Sequence, residues 1–337
     1  MKKTERRKER LDRSIKVRTE GLYAIYSWRE IVYLIGPRLV LIVGFFILPL
    51  VMPNMYWQRV LCSIAIFALL ALSFDFLAHS VGLVCLGGAF FTGVGGYTAG
   101  ALNSYFGLPP VLTIPIATLG GGMICTLLLL PTLALRDIYF AIVTIVYPIA
   151  AVRVIKALNI LGSTEGLSAL STFPNIWVET YLILGLSLVA LFGLRRLVNS
   201  EYGLVFVGLR DNDQAVKASG INITWFKTQA VFIGSGIGCF TGSYLSTLYG
   251  WTGLSIFGLD FSILPIAATV VGGSGTLIGP ILGAFILTPV SEILRAMGTW
   301  RIFFYCIILM AFVLFRPDGL MEYFQRKYHQ FEHWIEV

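Results

Sequence analysis

The sequence predicts an all-α, polytopic membrane protein of about ten (nine to ten) transmembrane helices, and three observations carry the prediction. Hydrophobic residues make up 57% of the 337-residue chain, charged residues 13%, and the mean hydropathy is +0.81. Globular chains carry roughly 25% charged residues, so this one lacks the charge for an ordinary wetted surface. Second, the windows 39–58, 60–74, 76–135, 138–152, 180–194, 228–259, 261–291 and 302–315 contain no Asp, Glu, Lys or Arg. A bilayer core of ~30 Å takes about 20 helical residues, so several windows are single spans and 76–135 holds two or three. Third, basic residues are unevenly placed: ten of the 25 Lys and Arg fall within residues 1–30, against five acids. That excess predicts a cytoplasmic N-terminus.

Residues 1–32 read as a basic cytoplasmic segment facing lipid headgroups rather than nucleic acid. No short apolar stretch with a small-residue cleavage site follows it, so the first span is expected to be uncleaved. The membrane-spanning body is 33–316, with predicted spans at 33–52, 59–79, 83–106, 110–134, 137–157 and 179–197, then 228–250, 261–273, 276–291 and 301–316. Six crossings return the chain to the inside at Arg195 and Arg196. The polar loop 195–227 that follows adds Arg210, Lys217 and Lys227, in agreement with that parity. Beyond it, 261–291 is an uncharged run about 46 Å long as a helix, long for one upright span and short for two. Arg316, Arg326 and Lys327 favour a cytoplasmic tail at 317–337 and ten crossings; Arg295 and Arg301 favour nine.

Glycine is dense inside the spans, as in GLVCLGGAFFTGVGGYTAG (82–100), LGGGM (119–123), GSGIGCFTG (234–242) and VGGSGTLIGPILG (271–283). Small residues let helix backbones approach closely where lipid removes the hydrophobic drive between helices. Broken helices lining a path are the second reading, since irregular backbone at membrane depth is tolerated only when buried or lining a cavity. Tyr97, Thr98, Ser274 and Thr276 are the polar candidates for such a path. Cys62, Cys85, Cys125, Cys239 and Cys306 lie in apolar segments without CxxC spacing and read as packing residues. His329 and His333, one turn apart, read as part of an exposed tail.

None of the glycine clusters completes GxGxxG, and no GxxxxGK[ST] is present, so neither a dinucleotide site nor an intrinsic ATPase is supported. An ion-coupled carrier calls for ionisable residues within its spans. Asp75, Arg38, Arg153 and Lys156 lie in or near spans, read as interfacial, and form no Asp/Glu/His relay in the sequence. Energy is then expected from elsewhere, and RDNDQAVKASGIN (210–222) is where a partner would supply it. Asp211 is placed to cap a short helix, with Gln214 completing the capping-box spacing. Gly220 sits where a left-handed residue ends a helix, and Ile221 where a hydrophobic contact follows. The expected helix, 212–219, carries Ala215, Val216, Ala218 and Ser219, small enough for a groove in another protein. Alone in water it would be marginal; a solvated connector is the alternative to a docking element.

These residues resemble the cytoplasmic coupling segment of branched-chain amino acid ABC transporter permeases, whose pattern is RDN, a small-residue helix, then GIN. Five more segments match that family in order: GLVCLGGAFFTGVGGYTAG (82–100), LALRDIYFAIVT (133–144), GSTEGL (162–167), VVGGSGTLIGPILGA (270–284) and FRPDGL (315–320). The likeness runs from about residue 60 to 320. It departs where the family's histidine is replaced by Gly87 or Gly88, and where the glycine after the LxLR arginine is Asp137. The resemblance implies an importer-type permease in the inner (cytoplasmic) membrane. It implies a second homologous permease, two ATP-binding cassette subunits that hydrolyse ATP, and an extracytoplasmic substrate-binding protein, with no cofactor bound by this chain. Arg210, Asp211, Asn212, Gln214, Ala215, Ala218, Gly220 and Ile221 would then be the ATPase-coupling residues. Leucine, isoleucine and valine are the first substrate expectation, urea or short amides the second. A self-sufficient secondary carrier or channel is the competing reading from another class.

Overall fold

The computed structural model describes residues 46–50, 54–135, 137–168 and 170–294, together with single positions between 307 and 321. The predicted segment 1–32, most of spans 33–52 and 301–316, and nearly all of the tail 317–337 lie outside the described residues. The chain divides into two units, Met1–Leu48 and Pro49–Val337, and the second holds the bundle.

Helix α1, Met55–Asp75, has neither Gly nor Pro and is apolar all round; almost every residue after Val60 is buried, and a π-turn, Phe76–Ser80, extends it. A helix apolar on every side belongs in the middle of a bundle. After an extended stretch at 82–87, α2 runs over Gly88–Phe106 and stops at Gly107, whose φ is 62°. Helix α3, Pro110–Leu129, starts on a proline, which needs no N–H in the first turn, and tightens into a 3₁₀ turn at Leu130–Ala134. Helix α4 is Asp137–Leu158. Helix α5, Ile176–Val198, is opened by the Asn175 side chain, which accepts from the Trp177 N–H.

The polar segment forms α6, Glu201–Asp211, and α7, Asp213–Ala218. Helix α8, Ile223–Tyr249, is the longest described, with Asn222 accepting from the Trp225 N–H. A 3₁₀ turn, Leu254–Phe257, leads to the short helices α9, Asp260–Gly272, and α10, Ile278–Leu294. Among the described residues no β-strand occurs; Leu167 and Thr252 form an isolated antiparallel bridge.

Five helical segments are long and apolar enough to cross a bilayer: 55–80, 110–134, 138–158, 176–198 and 223–249. They correspond to five of the predicted spans with ends moved by a few residues. The predicted span 83–106 is corrected: its first residues are extended and only Gly88–Phe106 is helical. Gly82, with φ at 82°, lies so close to Arg210 that an added Cβ would stand 2.9 Å from its Cα, which fits a chain turning inward there. The uncharged run 261–291 is two short helices, α9 and α10, joined by a turn at 273–277.

Two packed groups result. Helices α2, α3 and α8 form the first, and glycine sets their spacing. A side chain on Gly95 would strike the Cys239 backbone, and one on Gly242 would strike the Thr92 carbonyl, so α2 and α8 touch through their main chains. Cys125 of α3 and Cys239 of α8 are both buried, with their sulfurs 3.7 Å apart. The second group packs α1 against α9 and α10 through Ala68, Ala71, Ala267, Ala268 and Ala284, with Leu264, Val271 and Leu287 filling between them. The Thr269 hydroxyl donates to the Ala71 carbonyl at 3.3 Å across this contact.

Candidate functional site

The end of the bundle bearing α6 and α7, here the loop end, carries the predicted coupling residues. Asn212, with φ −160° and ψ 98°, is the cap of α7: its Oδ1 accepts from the Gln214 N–H at 3.0 Å and the Ala215 N–H at 3.2 Å. That corrects the expected cap, Asp211, and the expected bounds, 212–219, to Asp213–Ala218. Asp211 ends α6 instead, and its carboxylate accepts from Arg210 Nε at 2.9 Å. Gly220 has φ 83° and its N–H donates to the Lys217 carbonyl, so the left-handed exit stands where the sequence puts it. Ile221 is half-buried behind it.

The outer face of α7 is Gln214, Ala215, Ala218 and Ser219, all exposed, whereas Val216 turns inward onto the core. The expected four-residue small face therefore loses Val216, whose methyl fills the space over Gly208. Six residues make less than two turns, too few to persist on helix propensity alone. Two side-chain ties hold the segment to the bundle. Lys227 of α8, nearly buried, donates to Asp213 at 2.7 Å. Arg210 donates from Nη1 to the His79 carbonyl at 2.9 Å, at the end of the α1 π-turn.

The four path candidates do not converge. Tyr97 is buried on α2, its ring stacked on Phe257 with centroids 5.6 Å apart and its hydroxyl without a partner. The Thr98 hydroxyl donates to the carbonyls of Val94 and Gly95, at 2.8 and 2.9 Å, so its hydrogen bonds stay within its own helix. Ser274 is exposed in the α9–α10 turn. Thr276 donates to the Gly273 carbonyl at 2.9 Å and accepts from the Gly279 N–H at 3.0 Å, which makes it a cap for α10.

Sequence reasoning missed two features. The starts of α2 and α9 meet inside the bundle, where the Ala89 N–H donates to Ser262 Oγ at 2.9 Å and an added Cβ on Gly88 would lie 2.7 Å from the Phe261 carbonyl. The extended stretch feeding this point is held by Leu86, whose N–H donates to Thr144 Oγ1 at 3.0 Å. Irregular backbone at membrane depth is thus satisfied by hydroxyls from neighbouring helices. The second is Asp75, read from the sequence as interfacial. It is 1% exposed and accepts from the backbone N–H groups of Gly275 at 2.7 Å and Leu277 at 3.2 Å, with His79 Nδ1 3.0 Å away. The sequence does hold a signal for it: Asp75 is the sole Asp, Glu, Lys or Arg between Arg59 and Arg136.

A helical bundle with lipid-length spans, broken central segments and a capped polar helix on one end has the build of a membrane permease. Residues 56–315 match the family described as branched-chain amino acid transport system / permease component, and the chain belongs to that family. It is 26% identical over 287 residues to the high-affinity branched-chain amino acid transport system permease protein LivM of Escherichia coli, covering 76% of this chain and 68% of that one. A probable branched-chain amino acid transport permease protein LivM of Methanocaldococcus jannaschii is 25% identical over 269 residues, 70% of this chain and 76% of that one. The autoinducer 2 import system permease protein LsrC of Salmonella typhi is 26% identical over 192 residues, 49% and 54% of the two chains. No solved structure matches. The protein is therefore a multi-pass membrane permease component of a transport system.

Proposed function

We propose that this chain is the permease subunit of an ATP-driven ABC importer for branched-chain amino acids, and that a separate ATPase drives it through α7. The observation that carries the reading is the α6–α7 segment: a capped, exposed short helix with two alanines outward, its Asp213 tied to α8 and the preceding Arg210 of α6 tied to α1. A helix too short to stand alone, yet held rigidly with Ala215 and Ala218 outward, suits a groove in another protein. On this reading Arg210, Asp211, Asn212, Gln214, Gly220 and Ile221 shape and hold the contact rather than all touching the partner.

The partners are two ATP-binding cassette subunits, a second homologous permease and an extracytoplasmic substrate-binding protein. The chain binds no cofactor, and ATP is hydrolysed by the partners. The loop 195–227 faces the cytoplasm, as the basic residues at Arg195, Arg196 and Lys217 favour, and the protein resides in the cytoplasmic membrane. Names of relatives support leucine, isoleucine and valine as substrates.

Proteoliposomes test the reading. With ATPase, second permease, binding protein and ATP present, labelled leucine is expected to accumulate, and unlabelled isoleucine and valine to compete. Vesicles holding this chain alone under an ion gradient are expected to accumulate none. Uptake by the lone chain would overturn the proposal in favour of a self-sufficient carrier, and competition by urea but not valine would move the substrate.

A further inference from the structure

The α6–α7 segment is tied to the bundle by two side-chain bonds, and they go to different packed groups. Asp213 binds Lys227 of α8, which belongs with α2 and α3. Arg210, at the end of α6, binds the His79 carbonyl, which belongs with α1. From His79 the chain of contacts continues through its imidazole to Asp75 and through both oxygens of Asp75 to Gly275 and Leu277. These last two residues form the turn that starts α10. A carboxylate gripping two main-chain N–H groups makes charge-assisted bonds, about twice as strong as neutral ones. Here one of them comes from another helix and caps a turn some two hundred residues away in sequence. The remaining contacts between α1 and the α9–α10 pair are mostly apolar, alanine and leucine surfaces with Phe67 stacked on Phe261, and only the Thr269 hydroxyl and, at the opposite end of α10, the Tyr56 hydroxyl donating to Glu292 add hydrogen bonds.

The widening at Phe76–Ser80 fits this role. A π-turn puts an extra residue into the helix, and this one carries His79 beside Asp75. Phe206 of α6 packs edge-on against Phe76 at 5.9 Å, so the same turn is clamped from the loop side.

We propose that Asp75 is a positioning residue: with His79 and Arg210 it forms a polar strut that carries displacement of the α6–α7 segment to the 273–277 turn and so to the α9–α10 pair. The proposal rests on the reading of α7 as the ATPase contact. It assigns the α9–α10 pair as the element moved, and it gives the turn VGGSGTL (271–277) a mechanical job instead of a place in a binding pocket.

The experiment uses the assembled transporter carrying Asp75→Asn, which keeps one acceptor oxygen, or Arg210→Ala, which removes the exposed end of the strut. Three quantities are read: ATPase co-purification, substrate moved per ATP hydrolysed, and hydrogen exchange of the 273–279 amides with and without nucleotide. The wild-type assembly is expected to change exchange in this turn when nucleotide binds. Asp75→Asn is expected to retain ATPase capture and hydrolysis, to abolish that nucleotide response, and to lower substrate moved per ATP about tenfold, the size of one charge-assisted hydrogen bond lost. Combining it with Arg210→Ala is expected to add little further loss in that ratio, because both cut one path. A nucleotide response that survives in Asp75→Asn would overturn the strut, as would transport and hydrolysis falling in equal proportion. Failure of the wild-type assembly to bind the ATPase would instead overturn the reading of α7.

Discussion

The two ends of the bundle are fastened by different chemistry. At the loop end stand all three close acid–base pairs among the described residues, Asp75 with His79, Arg210 with Asp211, and Asp213 with Lys227. The far end is joined mostly by amides, hydroxyls and main chain, with one carboxylate, Glu292, accepting from the Tyr56 hydroxyl at 3.1 Å. Asn103 donates to the Leu108 carbonyl at 2.8 Å and bonds Ser171, Leu167 pairs with Thr252, and Trp251 donates to the Glu165 carbonyl at 3.2 Å. That end also leaves more buried polar atoms without a hydrogen-bond partner: both amide atoms of Gln58, one oxygen of Glu179 and the Thr252 hydroxyl, against His79 Nδ1 at the loop end, which faces Asp75. Neutral hydrogen bonds contribute about 1 kcal/mol each, and an orphaned buried group costs about 1–3 kcal/mol. The loop end is thus held by charged contacts. At the far end, any arrangement that wets Glu179 and Gln58 recovers their hydration.

Three substitutions break or sharpen this contrast. The largest effect is expected for Lys227→Met, which leaves Asp213 unpaired beside α8: about 2 kcal/mol of lost stability in detergent thermal melts, with transport lost as well. Exchanging the charges, as Asp213→Lys with Lys227→Asp, is expected to recover part of both. At the far end Glu179→Gln is expected to act in the opposite sense and to stabilise the protein by about 1 kcal/mol, because a neutral amide is cheaper to bury than a carboxylate with one oxygen unbonded, and this outweighs the lost attraction of Arg59. A fall in melting temperature for Glu179→Gln would show that the Arg59 attraction prevails and that the contrast is wrong. The smallest effect is expected for Thr252→Val, within about 0.5 kcal/mol, since an orphaned hydroxyl is replaced by a methyl of the same shape.

What the sequence made legible follows the range of the physics involved. Five spans were readable because lipid imposes a local rule, an uninterrupted apolar length. The α7 exit at Gly220 was readable because a left-handed turn is a property of one residue. The cap was placed one position early: Asp211 and Asn212 are both good caps, and only the direction in which α6 ends decides between them. The break at 82–87 escaped because its hydrogen bonds come from Thr144 and Ser262, far along the chain. Asp75 escaped for the same reason, as its partners lie two hundred positions away and are main-chain groups with no side-chain signature. Val216 was assigned outward with its neighbours, and only the packing of α7 on Gly208 turns it in.

The central claim is that an ATPase grips the outer face of α7, and one paired measurement tests it directly. Ala215→Glu places a charge on the exposed face at the loop end, and Ser104→Glu places the same charge on an exposed residue at the far end. Capture of the ATPase from detergent by the two variants is then compared with wild type. The account predicts that Ala215→Glu loses the ATPase and that Ser104→Glu keeps it. Equal capture by both would contradict it.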